Sequence, residues 1–193
     1  MLKFMVNTGI LAGCISLTTV AVPAQAVVHA LSGTISTVDS TAKTITVITD
    51  DGSGGTFKEM TDTKTAIEFE KALRAGSTPA AAFKDQQGRV IVFYFGGGEI
   101  RTAVALRDLG PGPFNVTTGT VAAYDKGNHS LSIKSTSGTE ESFKIVSGTV
   151  ADVEMGATQG FKFEADKGNQ VRVVSTSQNG VQTAMFIILL STS

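Results

Sequence analysis

The stretch GTISTVD (Gly33–Asp39) returns as GTVAAYD (Gly119–Asp125), and why a 193-residue chain says nearly the same thing twice decides its fold. The likeness runs well past these openings. GTISTVDSTAKTITVITDDGSGGTFKEMTDTKTAIEF from Gly33 lies over GTVAAYDKGNHSLSIKSTSGTEESFKIVSGTVADVEM from Gly119 without a gap. Asp39 meets Asp125, Ile45 and Val47 meet Leu131 and Ile133, Gly52 meets Gly138, and Thr63 meets Thr149. Phe57-Lys58 meets Phe143-Lys144. The offset then falls from 86 to 81 residues across RAGSTPAAAF (Arg74–Phe83). The match resumes with GRVIVFYFGGGEIRTAVAL (Gly88–Leu106) over NQVRVVSTSQNGVQTAMFI (Asn169–Ile187). Self-similarity of this length marks an internal duplication, and two copies of roughly 75 to 85 residues make two small domains rather than a solenoid.

Each copy reads as strands. In TITVIT (Thr44–Thr49) the period is two, with Ile45 and Val47 on one face and threonines on the other; SLSIKS (Ser130–Ser135) repeats it with Leu131 and Ile133. DSTAK and DKGNH, then DDGSGG and TSGTEE, then FGGGE and SQNG, supply turns between successive strands. The opening stretch breaks the period. Ile35 and Val38 are three apart, as are Val121 and Tyr124, and a regular strand would send them to opposite faces. A β-bulge just after the glycine brings both inward and bends the strand, and a bent first strand lets a small barrel close.

Three strands, a connector and two more strands is the order of an OB-like barrel. In copy one the connector holds TAIEFEKALRAG, where Ala66, Phe69 and Leu73 are spaced for a short helix ended by Gly76. Copy two has VADVEMGATQG, with less helical character, and its shorter connector predicts a more open barrel. The expected fold is all-β with minor helix: residues 27–108 form the first five-stranded barrel, 109–115 (within RDLGPGPFN) a linker, and 116–193 the second barrel.

Residues 1–26 read as a secretory signal peptide. Lys3 supplies the positive start, GILAGCISLTTVAV (Gly9–Val22) the apolar stretch, and PAQA (Pro23–Ala26) the small-x-small cleavage pattern. LAGC (Leu11–Cys14) also has the form of a lipoprotein box, which would lipidate Cys14, but the apolar sequence after it is unlike a polar tether. A membrane span wants roughly 18 unbroken apolar residues, which favours the cleaved leader over an anchor. Cleavage removes Lys3 and Cys14, taking the formal charge from −1 to −2 and leaving no cysteine. A near-neutral chain has no basic field to gather nucleic acid.

Signals for catalysis and cofactors are weak. His29 and His129 lack partners at ligand spacing and read as solvated side chains. There is no G-x-S-x-G elbow. Glu140 and Glu141 fall at a hairpin, Glu68 and Glu70 in the connector; TDDGSGG (Thr49–Gly55) lacks the ligand pattern of a calcium loop and reads as a turn. No catalytic, cofactor or metal residue is assigned. Six residues form a candidate interaction surface. VFYFG (Val92–Gly96) puts Phe93 and Phe95 on one face with Val92 and Tyr94 on the other. AMFIILL (Ala184–Leu190), with Phe186, Ile187 and Ile188, reads as a strand buried on both faces or, if uncovered, a sticky edge. Val174 and Thr176 stand where copy one has Phe93 and Phe95, which disfavours a duplicated ligand platform and favours contact between the domains.

The pattern G-x-[VI]-x-x-[VY]-D, an alternating strand, a turn glycine, an F-K strand, and a closing V-x-V with T-A resembles a family of small secreted bacterial OB-like β-barrel domains of unknown function, often in tandem. That resemblance covers most of the chain beyond the leader. It implies fold and extracytoplasmic placement and brings no catalytic motif. The expected role is a non-enzymatic binding or accessory module with an unidentified ligand or envelope partner. A self-assembling structural protein built by strand addition ranks second and a hydrolase last.

Overall fold

A computed structural model describes residues 25–61, 65, 67–79 and 88–190. Most of the expected signal peptide, with Cys14, lies outside the described residues, as do Thr63 and Ala66 of the connector.

The first unit contains β1 (Ala26–Val27), β2 (His29–Asp39), β3 (Thr44–Ile48), β4 (Gly54–Glu59), β5 (Ile67–Glu68), α1 (Lys71–Ala75), β6 (Thr78–Pro79), β7 (Arg89–Phe95) and β8 (Ile100–Asp108). The second contains β9 (Asn115–Asp125), β10 (Ser130–Ser135), β11 (Glu140–Val153), β12 (Gly156–Gln159), a single 3-10 turn (Gly160–Lys162), β13 (Gln170–Gln178) and β14 (Val181–Leu190).

In the first unit the ladder runs β4-β3-β2-β7-β8, and a parallel pairing of β4 with β8 closes it. In the second it runs β11-β10-β9-β13-β14, closed by the parallel pairing of β11 with β14. The chain is therefore two closed five-stranded OB-like barrels in tandem. Closure removes the free edges that an open sheet would expose.

The repeated heptapeptide has a role at each fixed position. The register of β2 on β3 slips between Ile35 and Thr37, which makes Ser36 the bulge; that of β9 on β10 slips between Val121 and Ala123, which makes Ala122 its counterpart. Ile35, Val38 and Tyr124 thereby turn toward their cores. The glycine is needed for close approach. A Cβ on Gly33 would stand 2.5 Å from the carbonyl oxygen of Ile48, and one on Gly119 would stand 2.2 Å from that of Lys134. The terminal aspartate shapes the turn. Asp39 accepts from the backbone N–H of Ala42 at 2.8 Å, and Asp125 from that of Asn128 at 2.9 Å. At the end of each turn Lys43 and His129 both take positive φ, 55° and 50°.

Alternation fills each interior. Leu31, Ile45, Val47, Phe57, Val90, Val92, Ala103 and Leu106 form the first core. Leu131, Ile133, Phe143, Ile145, Phe163, Val171, Val173 and Ile187 are central to the second. Each fully buried Leu, Ile or Phe is worth about 1.5–3 kcal/mol of burial.

Three readings of the sequence need correction. The second barrel is closed as fully as the first, because β11 extends to Val153 and folds back on β12 where copy one inserts its connector. The predicted helix is only one turn and a half, Lys71–Ala75, ended by Gly76, because Ile67 and Glu68 pair with β1 instead. The segment AMFIILL is not an edge either. From Thr183 to Ile188 it is paired by β13 on one side and β11 on the other, so strand addition there has no open backbone to use.

Between the barrels lies a third apolar cluster that neither copy could bury alone: Val28, Ala30, Leu73, Ile91, Phe93 and Ala105 from the first, with Val150, Val174 and Phe186 from the second. The residues joining the barrels, 109–114, do not hang free, since Leu109 and Phe114 pack against this seam.

Candidate functional site

The seam uses the same face of each barrel, the outward side of the fourth and fifth barrel strands, with the halves exchanged. Phe93 sits across from Ala105 in the first hairpin; at the corresponding place Val174 sits across from Phe186. One step along, Ile91 faces Arg107, whereas Arg172 faces Ile188. Large meets small and cation meets aliphatic, in opposite order in the two copies.

Both arginines tie the barrels together. Arg107 donates to the carbonyls of Leu73 and Gly76 in its own barrel, at 3.0 Å each, and to that of Gly148 in the other at 3.1 Å. Arg172 reaches back to Asp51 at 2.7 Å. Asp51 lies in the turn that the sequence left without a ligand role. The Ser53 and Thr49 hydroxyls hold its carboxyl well below the usual carboxylate range, with Arg172 adding to the effect. A third tie is Glu70, which accepts from Thr158 at 3.0 Å, Gln159 at 2.9 Å and Lys162 at 3.2 Å. Burial alone would raise its carboxyl, but those donors outweigh the desolvation and hold it below the usual value.

A fourth tie carries an electrostatic cost. Asp152 of β11 is 7 % exposed and accepts the Ala30 N–H at 2.8 Å, with His29 Nδ1 3.4 Å away. Burial pushes its carboxyl up to about 6, against the opposing pull of Ala30 and His29. The histidines therefore differ from the solvated pair expected. His29 flanks a buried carboxyl, and the ring of His129 stacks 4.4 Å from that of Phe161.

Where the seam opens beside the Thr49–Gly54 turn there is a cleft of about 220 Å³. Its apolar wall is Val174, Phe186, Ile188 and Leu190 of the second barrel, together with Ala30 and Leu31 of the first. Its polar side chains include Ser32, Tyr94, Arg101, Asp50, Asp51 and Arg172. Asp50 is taken by Arg89, whose Nη1 donates at 3.0 Å, and Asp51 by Arg172. Arg101 has no carboxylate partner among the described residues. Its guanidinium lies 5.1 Å from the Tyr94 ring centre and 5.6 Å from that of Phe57. Burial pushes the Tyr94 phenol up while Arg101 beside it pulls it back, so the phenol stays neutral. Ser32 is 6 % exposed and its hydroxyl has no hydrogen-bond partner among the described residues.

The six surface candidates separate. Tyr94, Phe186 and Ile188 meet in this cleft. Phe93 is fully buried in the seam, its ring 5.0 Å from that of Phe69. Ile187 points into the second core, and Phe95 is half-buried at the end of β7. Sequence reasoning missed Ser32, Arg101 and Asp152. Only Asp152 left a trace, an acidic residue inside the apolar alternation of TVADVEM.

Among the described residues no three His, Cys, Asp or Glu side chains converge as metal ligands do, and no helix is long and apolar enough to cross a membrane.

No family model matches the chain, and no curated protein matches it. Solved structures do show a likeness. A structure described as Ag(I)CusF is 15 % identical, with TM-score 0.33, over 41 % of this chain and 100 % of that one. A Cu(II) form of a single-residue CusF variant from Escherichia coli is 15 % identical, with TM-score 0.32, over 40 % of this chain and 92 % of that one. Apo-CusF from the same organism is 14 % identical, with TM-score 0.33, over 44 % and 95 %. Each of these chains spans about one barrel.

Proposed function

We propose that the protein is a non-catalytic binding module working outside the cytoplasm, at the bacterial envelope or beyond it, and that the cleft between its barrels is where a small ligand sits. The leader-like residues 1–26 support the placement. The Ser32 hydroxyl carries the site. A buried hydroxyl without a partner costs about 1–3 kcal/mol, and a chain keeps such a group where something else satisfies it. Here it lines an opening with an apolar wall and few convergent polar groups, the usual character of a ligand site. The sequence supports the non-catalytic reading, since it holds no nucleophile-elbow motif.

A fragment screen read by amide chemical shifts tests this. Binders are expected to perturb Ser32, Tyr94, Arg101 and Ile188 together. Leu190→Trp, which fills the rim, is expected to abolish those shifts. Perturbations elsewhere, or shifts that survive Leu190→Trp, overturn the assignment.

A further inference from the structure

Resting on the cleft as a ligand site, we infer that its ligand is a small organic anion, a carboxylate with a short apolar body, whose head meets Arg101 and whose body lies on Ile188 and Leu190.

The charges around the cleft select the sign. Four ionised side chains line it: Asp50, Asp51, Arg101 and Arg172. Both aspartates are already paired, Asp50 with Arg89 from outside the lining and Asp51 with Arg172. Of these four side chains, only Arg101 forms no ion pair among the described residues, so its positive charge is the one left uncompensated in the lining. The Tyr94 and Phe57 rings beside it hold the guanidinium in place, so little freedom is lost when it takes a carboxylate. Planar guanidinium and planar carboxylate match as a two-bond fork, which a neutral head cannot reproduce.

The remaining surface selects the rest of the ligand. Ile188 and Leu190 are half-buried, Val174 and Phe186 fully so, and no carboxylate of the lining is free to hold a cationic group. The Ser32 hydroxyl, pointing outward from β2 beside Ala30, supplies a donor for the ligand's second acceptor. A cleft of about 220 Å³ is smaller than the roughly 300–1,000 Å³ that holds drug-sized molecules, so the body is short. A bulky dianion fails on both counts: it exceeds the space and brings more charge than Arg101 offsets.

The experiment titrates the full chain with butanoate, 1-butanol and butylamine at low salt and follows amide shifts. Butanoate is expected to shift Ser32, Tyr94 and Arg101 with an affinity on the order of 1 mM. Butanol is expected at least tenfold weaker and butylamine absent from the cleft. Arg101→Gln is expected to weaken butanoate tenfold or more and leave butanol unchanged. Arg101→Lys, which keeps the charge and loses the fork, is expected to fall between the two. Raising salt is expected to weaken butanoate alone. Cleft shifts from butanol or butylamine that equal or exceed those from butanoate overturn the anion and leave the cleft standing as a site. No cleft shift from any of the three overturns both. Should Arg101→Gln fail to fold, the lysine variant and the salt series decide the same question.

Discussion

The two barrels close by the same ladder and carry the same bulge, yet they use their shared outer face differently. The first offers Phe93 opposite a small residue and Arg107 opposite Ile91; the second offers Phe186 opposite Val174 and Arg172 opposite Ile188. Inside the barrels the copies stayed alike, because each core must fill the same closed shape. Outside they diverged into complementary halves. Internal positions answer to one barrel and seam positions answer to its neighbour, which is why the duplicated pattern is clearest in Ile45, Val47, Leu131 and Ile133 and faintest along Ile91–Phe93.

The largest effect expected from disturbing this arrangement is Phe93→Ala. Losing a fully buried aromatic ring should cost about 3–5 kcal/mol in urea denaturation and split one transition into two as the barrels uncouple. Ile48→Ala, half-exposed on the first barrel, should change stability by less than about 1 kcal/mol. Equal losses from both would mean that the seam is no more than ordinary surface.

Next comes Asp152. Its carboxyl is raised above the unfolded value of 3.8 to about 6, so its contribution is complete below about pH 4 and is lost as pH rises through 6. Stability should therefore fall by about 2–3 kcal/mol between pH 4 and pH 7 on its account. Asp152→Asn, which still accepts the Ala30 N–H, should remove that slope. An unchanged slope in the variant would place the pH dependence elsewhere.

Gly119→Ala and Gly33→Ala test the inward side of the comparison. Each pushes a Cβ into a neighbouring carbonyl, and overpacking of this kind costs about 1–3 kcal/mol. The 2.2 Å approach at Gly119 should make it the costlier of the two, by thermal melt. Smallest is Asp51→Asn. The pair with Arg172 is partly solvent-exposed, so its loss should cost no more than about 1 kcal/mol and vanish at high salt.

How much of this was legible follows from the reach of the interactions. The strands, both bulges, the two barrels and the turn aspartates depend on residues within a hairpin of one another, and period and spacing report them. The first helix was overextended because pairing of Ile67 and Glu68 with β1 outweighed their helical spacing. The openness expected of the second barrel failed because the pairing of β11 with β14, which closes it, joins residues as far apart in the chain as Lys144 and Thr183. The cleft was illegible for the same reason, only more so. Ser32 and Arg101 come from early and late strands of one copy's sequence, Ile188 and Leu190 from the last strand of the other, and no local pattern links them. Tyr94, Phe186 and Ile188 were singled out from apolar runs alone, which cannot tell a cleft wall from the core that took Ile187 or the seam that took Phe93.

The exchanged halves of the seam also give each barrel an address. Were the hairpin 89–108 replaced by a second copy of 170–190, two phenylalanines would compete for one space and two arginines would share one flank. The duplicated halves have thus ceased to be spare parts for one another. A gene that began as one sentence said twice now encodes a question and its answer, and neither copy can be substituted for the other without losing the fit between them.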